Sequence, residues 1–189
     1  MNRIIILSTV LLALSLSINW ILDESAAPQE DTARNDPDLY MLNASIRQFD
    51  ESGSLQHILT AGRFTHFPLT DLTTLQSPSI QLASLEDDQW EITAQEGRLL
   101  PASRYREQIV ELWDNVLASR VESNRFISIQ TSSLTVYPER EYLETDQRVF
   151  IDSQSGRTTA AGMKAFLDTN KFMFFSDNTS RVTTIFLPE

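Results

Sequence analysis

Few residues in this chain could do chemistry, and their types limit what that chemistry could be. The 189 residues include two histidines, His57 and His66, and no cysteine. Without thiols there is no disulfide, sulfur-ligated metal, cysteine nucleophile or lipid-modified cysteine anchor. Two imidazoles nearly exclude a zinc site built from histidine, so no metal is expected. His57 and His66 flank Ala61-Gly62, but no nucleophile-elbow motif gives either one a serine to activate. Glu86-Asp87-Asp88 lacks the spacing of a calcium loop and reads as a solvated turn. Asn43-Ala44-Ser45 and Asn178-Thr179-Ser180 fit the glycosylation sequon, a pattern frequent by chance. No glycine-rich phosphate loop occurs, so nucleotide chemistry would belong to a partner. Fifteen basic against 26 acidic residues give a net charge of −11, which leaves no basic stripe for nucleic acid. The chain reads as a binding module with no catalytic residue and no cofactor.

The elements that would carry such a module are unevenly distributed. Residues 4–22 are 19 uncharged, mostly apolar residues, and as a helix they would reach about 28 Å, close to the ~30 Å hydrocarbon core of a bilayer. Arg3 precedes the run, and acids dominate after it, with Asp23, Glu24, Glu30 and Asp31 ahead of Arg34. That asymmetry predicts a retained single-pass membrane anchor, with a cytoplasmic N-terminus and the rest exported. A cleaved signal peptide is the competing reading, but the run is long for one and Pro28 follows the Ser25-Ala26-Ala27 cluster directly. Residues 1–22 are therefore read as the cytoplasmic N-terminus and span, 23–38 as an acidic linker, and 39–189 as the exported folded domain.

From Leu39 onward the pattern is that of strands. Tyr40, Leu42, Ala44 and Ile46 alternate with Asn43, Ser45 and Arg47, and Asp50-Glu51-Ser52-Gly53 then supplies a turn. Pairs at spacing two recur at Trp90-Ile92, Val110-Leu112, Ile127-Ile129 and Phe172-Phe174. Within residues 103–113, Arg104-Tyr105-Arg106-Glu107-Gln108 lacks that alternation and could be helical by propensity, but the window reads as the end of a loop running into a strand. A weak repeat is visible, with small-residue anchors at Ala61, Ala94, Thr131 and Ala161. About 20 residues after each comes a β-branched residue, at Ile80, Val116, Val149 and Val182. Units of this kind cannot bury an apolar face alone. Stacked, they predict an all-β fold, an open, twisted antiparallel roll with a trough inside.

The predicted trough lining is Leu42, Ala44, Ile46, Leu75, Phe172, Phe174 and Phe186. A dry core is the plainer reading of most such positions. An uncapped apolar interior behind a membrane anchor also suits acyl chains, at roughly 0.8 kcal/mol per buried methylene. The alternative is a docking module that recruits a partner through a sheet edge and binds no lipid.

The order of several segments resembles the LptC family, the bitopic inner-membrane component of the lipopolysaccharide transport bridge. They are the N-terminal span, the tether with Asn35-Asp36-Pro37, LTVYPEREYLETDQRVFI at 134–151, Gly156, Gly162-Met163-Lys164-Ala165 and Arg181-Val182-Thr183-Thr184. The resemblance implies a β-jellyroll like that of periplasmic LptA, and partnership with the LptF and LptG permeases and the LptB ATPase. It implies that lipopolysaccharide is received from that transporter and passed to LptA. Groove positions of the family fall on Ala44, Leu75 and Phe186, and its turn and assembly glycines on Gly53 and Gly156, with Gly162 alongside. The last strand-like run, Val182, Thr183, Thr184 and Ile185, would then be the partner edge, ending at Pro188, which has no N–H to donate.

Overall fold

The computed structural model describes residues 35–82, 89–122 and 125–187. The predicted span, most of the linker, Glu86-Asp87-Asp88 and Pro188 lie outside them. Among the described residues there is no α-helix, and no helix long and apolar enough to cross a membrane. The chain clusters into two units, residues 1–35 and 36–189, and every strand among the described residues belongs to the second.

That unit is a single antiparallel network of 14 strands. The first seven are β1 (Leu39–Phe49), β2 (Leu55–Phe67), β3 (Leu72–Gln76), β4 (Ser79–Leu82), β5 (Trp90–Thr93), β6 (Glu96–Leu100) and β7 (Ile109–Glu122). The others are β8 (Arg125–Tyr137), β9 (Tyr142–Thr145), β10 (Val149–Ser153), β11 (Gly156–Ala160), β12 (Gly162–Phe166), β13 (Lys171–Phe175) and β14 (Thr183–Phe186). A 3-10 turn at Pro138–Arg140 joins β8 to β9. The window at 103–113 resolves as expected, a loop with one isolated bridge, Ser103 to Arg106, leading into β7.

The pairing divides this network into two leaves. Leaf one runs β1–β2–β3–β6–β7–β8–β9–β12–β13. Leaf two runs β1–β2–β4–β5–β7–β8–β10–β11–β14. The long strands β1, β2, β7 and β8 cross from one leaf to the other, and the remaining runs cross between short strands. Residues that tolerate left-handed backbone sit at these crossings: Asn43 at φ +48°, Ser77 at +49°, and Asp114 and Asn115 at +62° and +58°. Backbone bonds stitch neighbouring crossings into a bend line, with Ser77 N donating to Gln95 O, Ala94 N to Pro78 O and Gln95 N to Asp114 O.

The bend line gives the sequence repeat its physical meaning. Ala61, Ala94, Thr131 and Ala161 stand where alternate runs leave leaf two for leaf one. Ile80, Val116 and Val149 open the leaf-two part of the returning runs and are buried, and Val182 stands just before β14. Inward residues of both leaves form one apolar cluster, including Leu59, Phe64, Leu75, Ile80, Ile92, Leu112, Ile129, Leu143 and Met163. Contacts across the interior are staggered. Phe172 of β13 in leaf one meets Trp90 of β5 in leaf two, with ring centroids 6.3 Å apart. Gln108, just before β7 in leaf one, meets His57 of β2 in leaf two. Packed twisted sheets cross at an angle, which produces such an offset. At the far end of leaf two all four residues of β14 are exposed.

Candidate functional site

The interior face of the roll extends from the β1 edge to the β13 and β14 ends of the two leaves. At the β1 edge Ala44 and Ile46 are half-buried opposite Ala61 and Leu59, both in the core. Leu75, opposite Phe64, has no exposed surface and belongs to the packed centre. Phe172 and Phe174 stand opposite Ala165 and Met163, half-buried, with rings stacked at 6.5 Å. Phe186 lies directly opposite Gly156, so it shares the face of β11 that turns inward, yet 79% of it is exposed. Phe186, a groove position implied by the family resemblance, thus lies on the inner face of β14 but is left uncovered there.

Leu42 is a correction. It lies opposite exposed Arg63 and is itself 65% exposed, on the outer face. Asn43, left-handed at the bend, shifts the phase of β1 by one residue, so Met41, opposite buried Phe64, takes the inward position. Period-two reading carries through a strand only while the backbone stays extended.

The two edges are built differently. β1 is held by ten register pairs with β2 that span both leaves. Its C-terminal turn is closed by Asp50, whose Oδ1 accepts from Ser52 N, Ser52 Oγ and Ser54 N, while Gly53 at φ +84° completes the reversal. These bonds, led by the Ser52 hydroxyl, hold the Asp50 carboxyl below its usual range. At the start of β1, Asp38 accepts from His66 Nδ1 at 2.6 Å, and Asp71 stands 3.7 Å from Nε2. The hydrogen bond to Asp38 raises the His66 pKa. His57, by contrast, is buried, and desolvation lowers its pKa.

β14 has only four pairs, all with β11. Leu187 N donates to Ser155 O, and alternation then directs the N–H groups of Ile185 and Thr183 toward β11. Those of Thr184 and Phe186 point away from it. Thr158 Oγ1 and Thr184 Oγ1 meet at 3.0 Å on the inner face. Gly156 makes the pairing possible, because a Cβ there would stand 2.2 Å from the Ile185 carbonyl oxygen, at a φ of +154°. Gly162 meets a milder constraint, with a Cβ 3.0 Å from the Thr145 carbonyl oxygen. The connection into β14 is fixed by Arg148, which donates to Ser180 Oγ, and by Asp177, which accepts from Thr179 and Ser180.

Within the segment 134–151, Leu134, Val136, Leu143, Val149 and Ile151 belong to the core, while Tyr137, Arg140, Tyr142 and Glu144 form a cluster on the other face. The hydroxyls of Tyr137 and Tyr142 both donate to the Glu144 carboxylate, and Arg140 lies over both rings while pairing with Glu107. This ties the loop before β7 to the β8–β9 turn and carries no ligand chemistry of its own. A cavity of about 680 Å³, lined by Asp114, Asn115, Gln130, Arg148 and Phe150 among others, lies along the bend line and is of mixed polarity. Sequence reasoning missed Met41, Arg120 and Asn170 as interior or cross-leaf residues. Of these only Met41 had a signal, in the bend-forming asparagine two residues on.

A folded-over antiparallel roll with an apolar interior and open sheet edges defines a class of protein, the open β-jellyrolls. The model of the family described as lipopolysaccharide-assembly, LptC-related, matches residues 5–182, and the chain belongs to that family. No curated protein matches it. Among solved structures it is similar to LptH, the LptA-homologous periplasmic component of the lipopolysaccharide transport device from Pseudomonas aeruginosa. That likeness has a TM-score of 0.52 at 6% identity and covers 82% of this chain and 98% of that one. At that identity it speaks for the fold. The family supports a role in lipopolysaccharide transport.

Proposed function

We propose that the interior between the leaves holds the acyl chains of lipopolysaccharide and relays them from one edge of the roll to the other. Ala44 and Ile46 stand at the receiving edge, Phe172 and Phe174 along the way, and Phe186 at the exit. Residues 4–22 anchor the chain in the inner membrane, 23–38 tether it, and the roll from residue 39 onward lies in the periplasm. There it receives lipid from the LptB, LptF and LptG transporter. The exit edge, Val182 to Ile185, pairs with an LptA-like roll so that the two interiors align. The protein contributes no bond-making step.

The observation that carries this reading is uncovered Phe186 on the inner face of β14, with Phe172 and Phe174 half-buried on the inner face of β13. An apolar side chain 79% exposed on an inward face is covered once a neighbouring roll continues the interior. The net charge of −11 agrees, since such a protein would grip acyl chains and leave the phosphorylated head in water. A docking module without lipid draws support from Leu75, which is packed with no exposed surface. A photo-crosslinking residue in cells separates the two. At Phe174 it should trap lipopolysaccharide, and at outward-facing Met173, 40% exposed, it should not. Absence of any adduct at Phe174 would leave the docking reading standing.

A further inference from the structure

The two long sides of the interior are closed by different means. Along the bend line the chain itself passes from leaf to leaf, with backbone bonds between neighbouring crossings. On the opposite side the free tips of the leaves meet through side chains. Arg120, near the end of β7 in leaf two, donates from Nη1 to Oδ1 of Asn170 in the β12–β13 turn of leaf one, at 2.8 Å. Its guanidinium lies 5.3 Å from the centre of the Trp90 ring, and Trp90 in turn meets Phe172 across the gap. Further along, Gln108 Nε2 of leaf one lies 3.1 Å from His57 Nε2 of leaf two.

These contacts leave polar groups unpaired. His57 and Trp90 are 1% and 3% exposed, yet among the described residues His57 Nδ1 and Trp90 Nε1 have no hydrogen-bond partner. Buried polar atoms without partners disfavour the closed arrangement relative to one in which water reaches them. Parting the tips would break side-chain contacts and leave the leaf ladders intact.

We propose that this seam is a latch. The Arg120–Asn170 bridge seated on Trp90 and the His57–Gln108 pair hold the leaf tips together. Their release opens the interior sideways, about the bend line, to an acyl chain. This rests on the lipid-carrying reading and adds to it the route of entry and the residues that control it.

The full chain has no native cysteine, so R120C and N170C can be joined by a short bis-maleimide. Purified lipopolysaccharide micelles are then offered, and capture is read by a photo-crosslinking residue at Ile46, away from the seam. The tethered protein should capture lipid at least tenfold more slowly than the untethered double variant. Asn170→Ala alone should capture several-fold faster than wild type. Equal rates for tethered and untethered protein would overturn the latch. If wild type and every variant capture nothing, the lipid reading itself fails, and the latch as a lipid gate falls with it.

Discussion

The two edges of this roll teach different lessons about how a sheet end is kept available. β1 is an eleven-residue strand paired along both leaves, closed at one end by Asp50 and clamped at the other by His66. β14 has four residues, pairs in leaf two alone, and is exposed throughout. Each net backbone bond contributes only about 0.5–1.5 kcal/mol, so the first edge is a fixed platform and the second is weakly held. An edge that must accept a partner gains from the second design, because unpaired N–H and C=O groups there are not already committed to the core.

The comparison is most readily broken at Gly156. Gly156→Val places side-chain atoms where the Ile185 carbonyl lies, and β14 must detach. We expect a stability loss of about 1–3 kcal/mol, as for overpacking elsewhere, and abolished capture of an LptA-like partner by pull-down. Pairing of β1 should be unchanged by hydrogen exchange. Partner capture at wild-type level would show that β14 is not the exit.

Thr184→Pro acts more locally. It removes an N–H that points away from β11, so capture should weaken by about 1 kcal/mol, or roughly fivefold. Thr183→Pro removes an inward N–H and should lower thermal stability as well. Equal melting temperatures for the two variants would refute the assigned phase of β14.

The smallest effect is expected at the β1 clamp. Asp38 raises the His66 pKa, so the folded state binds the proton more tightly than the unfolded chain. The resulting stability is fully present below the ordinary histidine value of 6.5 and is lost as pH rises through the raised value. Melting temperatures of wild type and His66→Gln should therefore differ most at acid pH and converge above neutrality. A gap that widens with rising pH would contradict the clamp.

Much of the fold was legible because short segments such as Trp90-Glu91-Ile92 and Phe172-Met173-Phe174 alternate and each crossing carries a small or turn-forming residue. The spacing of Ala61, Ala94, Thr131 and Ala161 marks the bend line, a consequence of strands of similar length crossing it in turn. Leu42 was misplaced because one left-handed residue, Asn43, inverts the alternation, and propensity alone does not say which asparagine adopts that backbone. Trp90, Arg120 and Asn170 come together through the angle at which the leaves cross, and local sequence does not encode that angle. The exposure of Phe186 depends on how far the facing leaf extends, which is set by tertiary packing and was not readable from local sequence.

The central claim is that lipid travels along the inner face from edge to edge. It is tested most directly by photo-crosslinking residues in cells at neighbouring inner and outer positions of both edges, Ala44 against Ser45 and Phe186 against Ile185. The account predicts lipopolysaccharide adducts at Ala44 and Phe186, with Ser45 and Ile185 blank. Adducts of equal strength at all four positions, or at Ser45 and Ile185 alone, would contradict it.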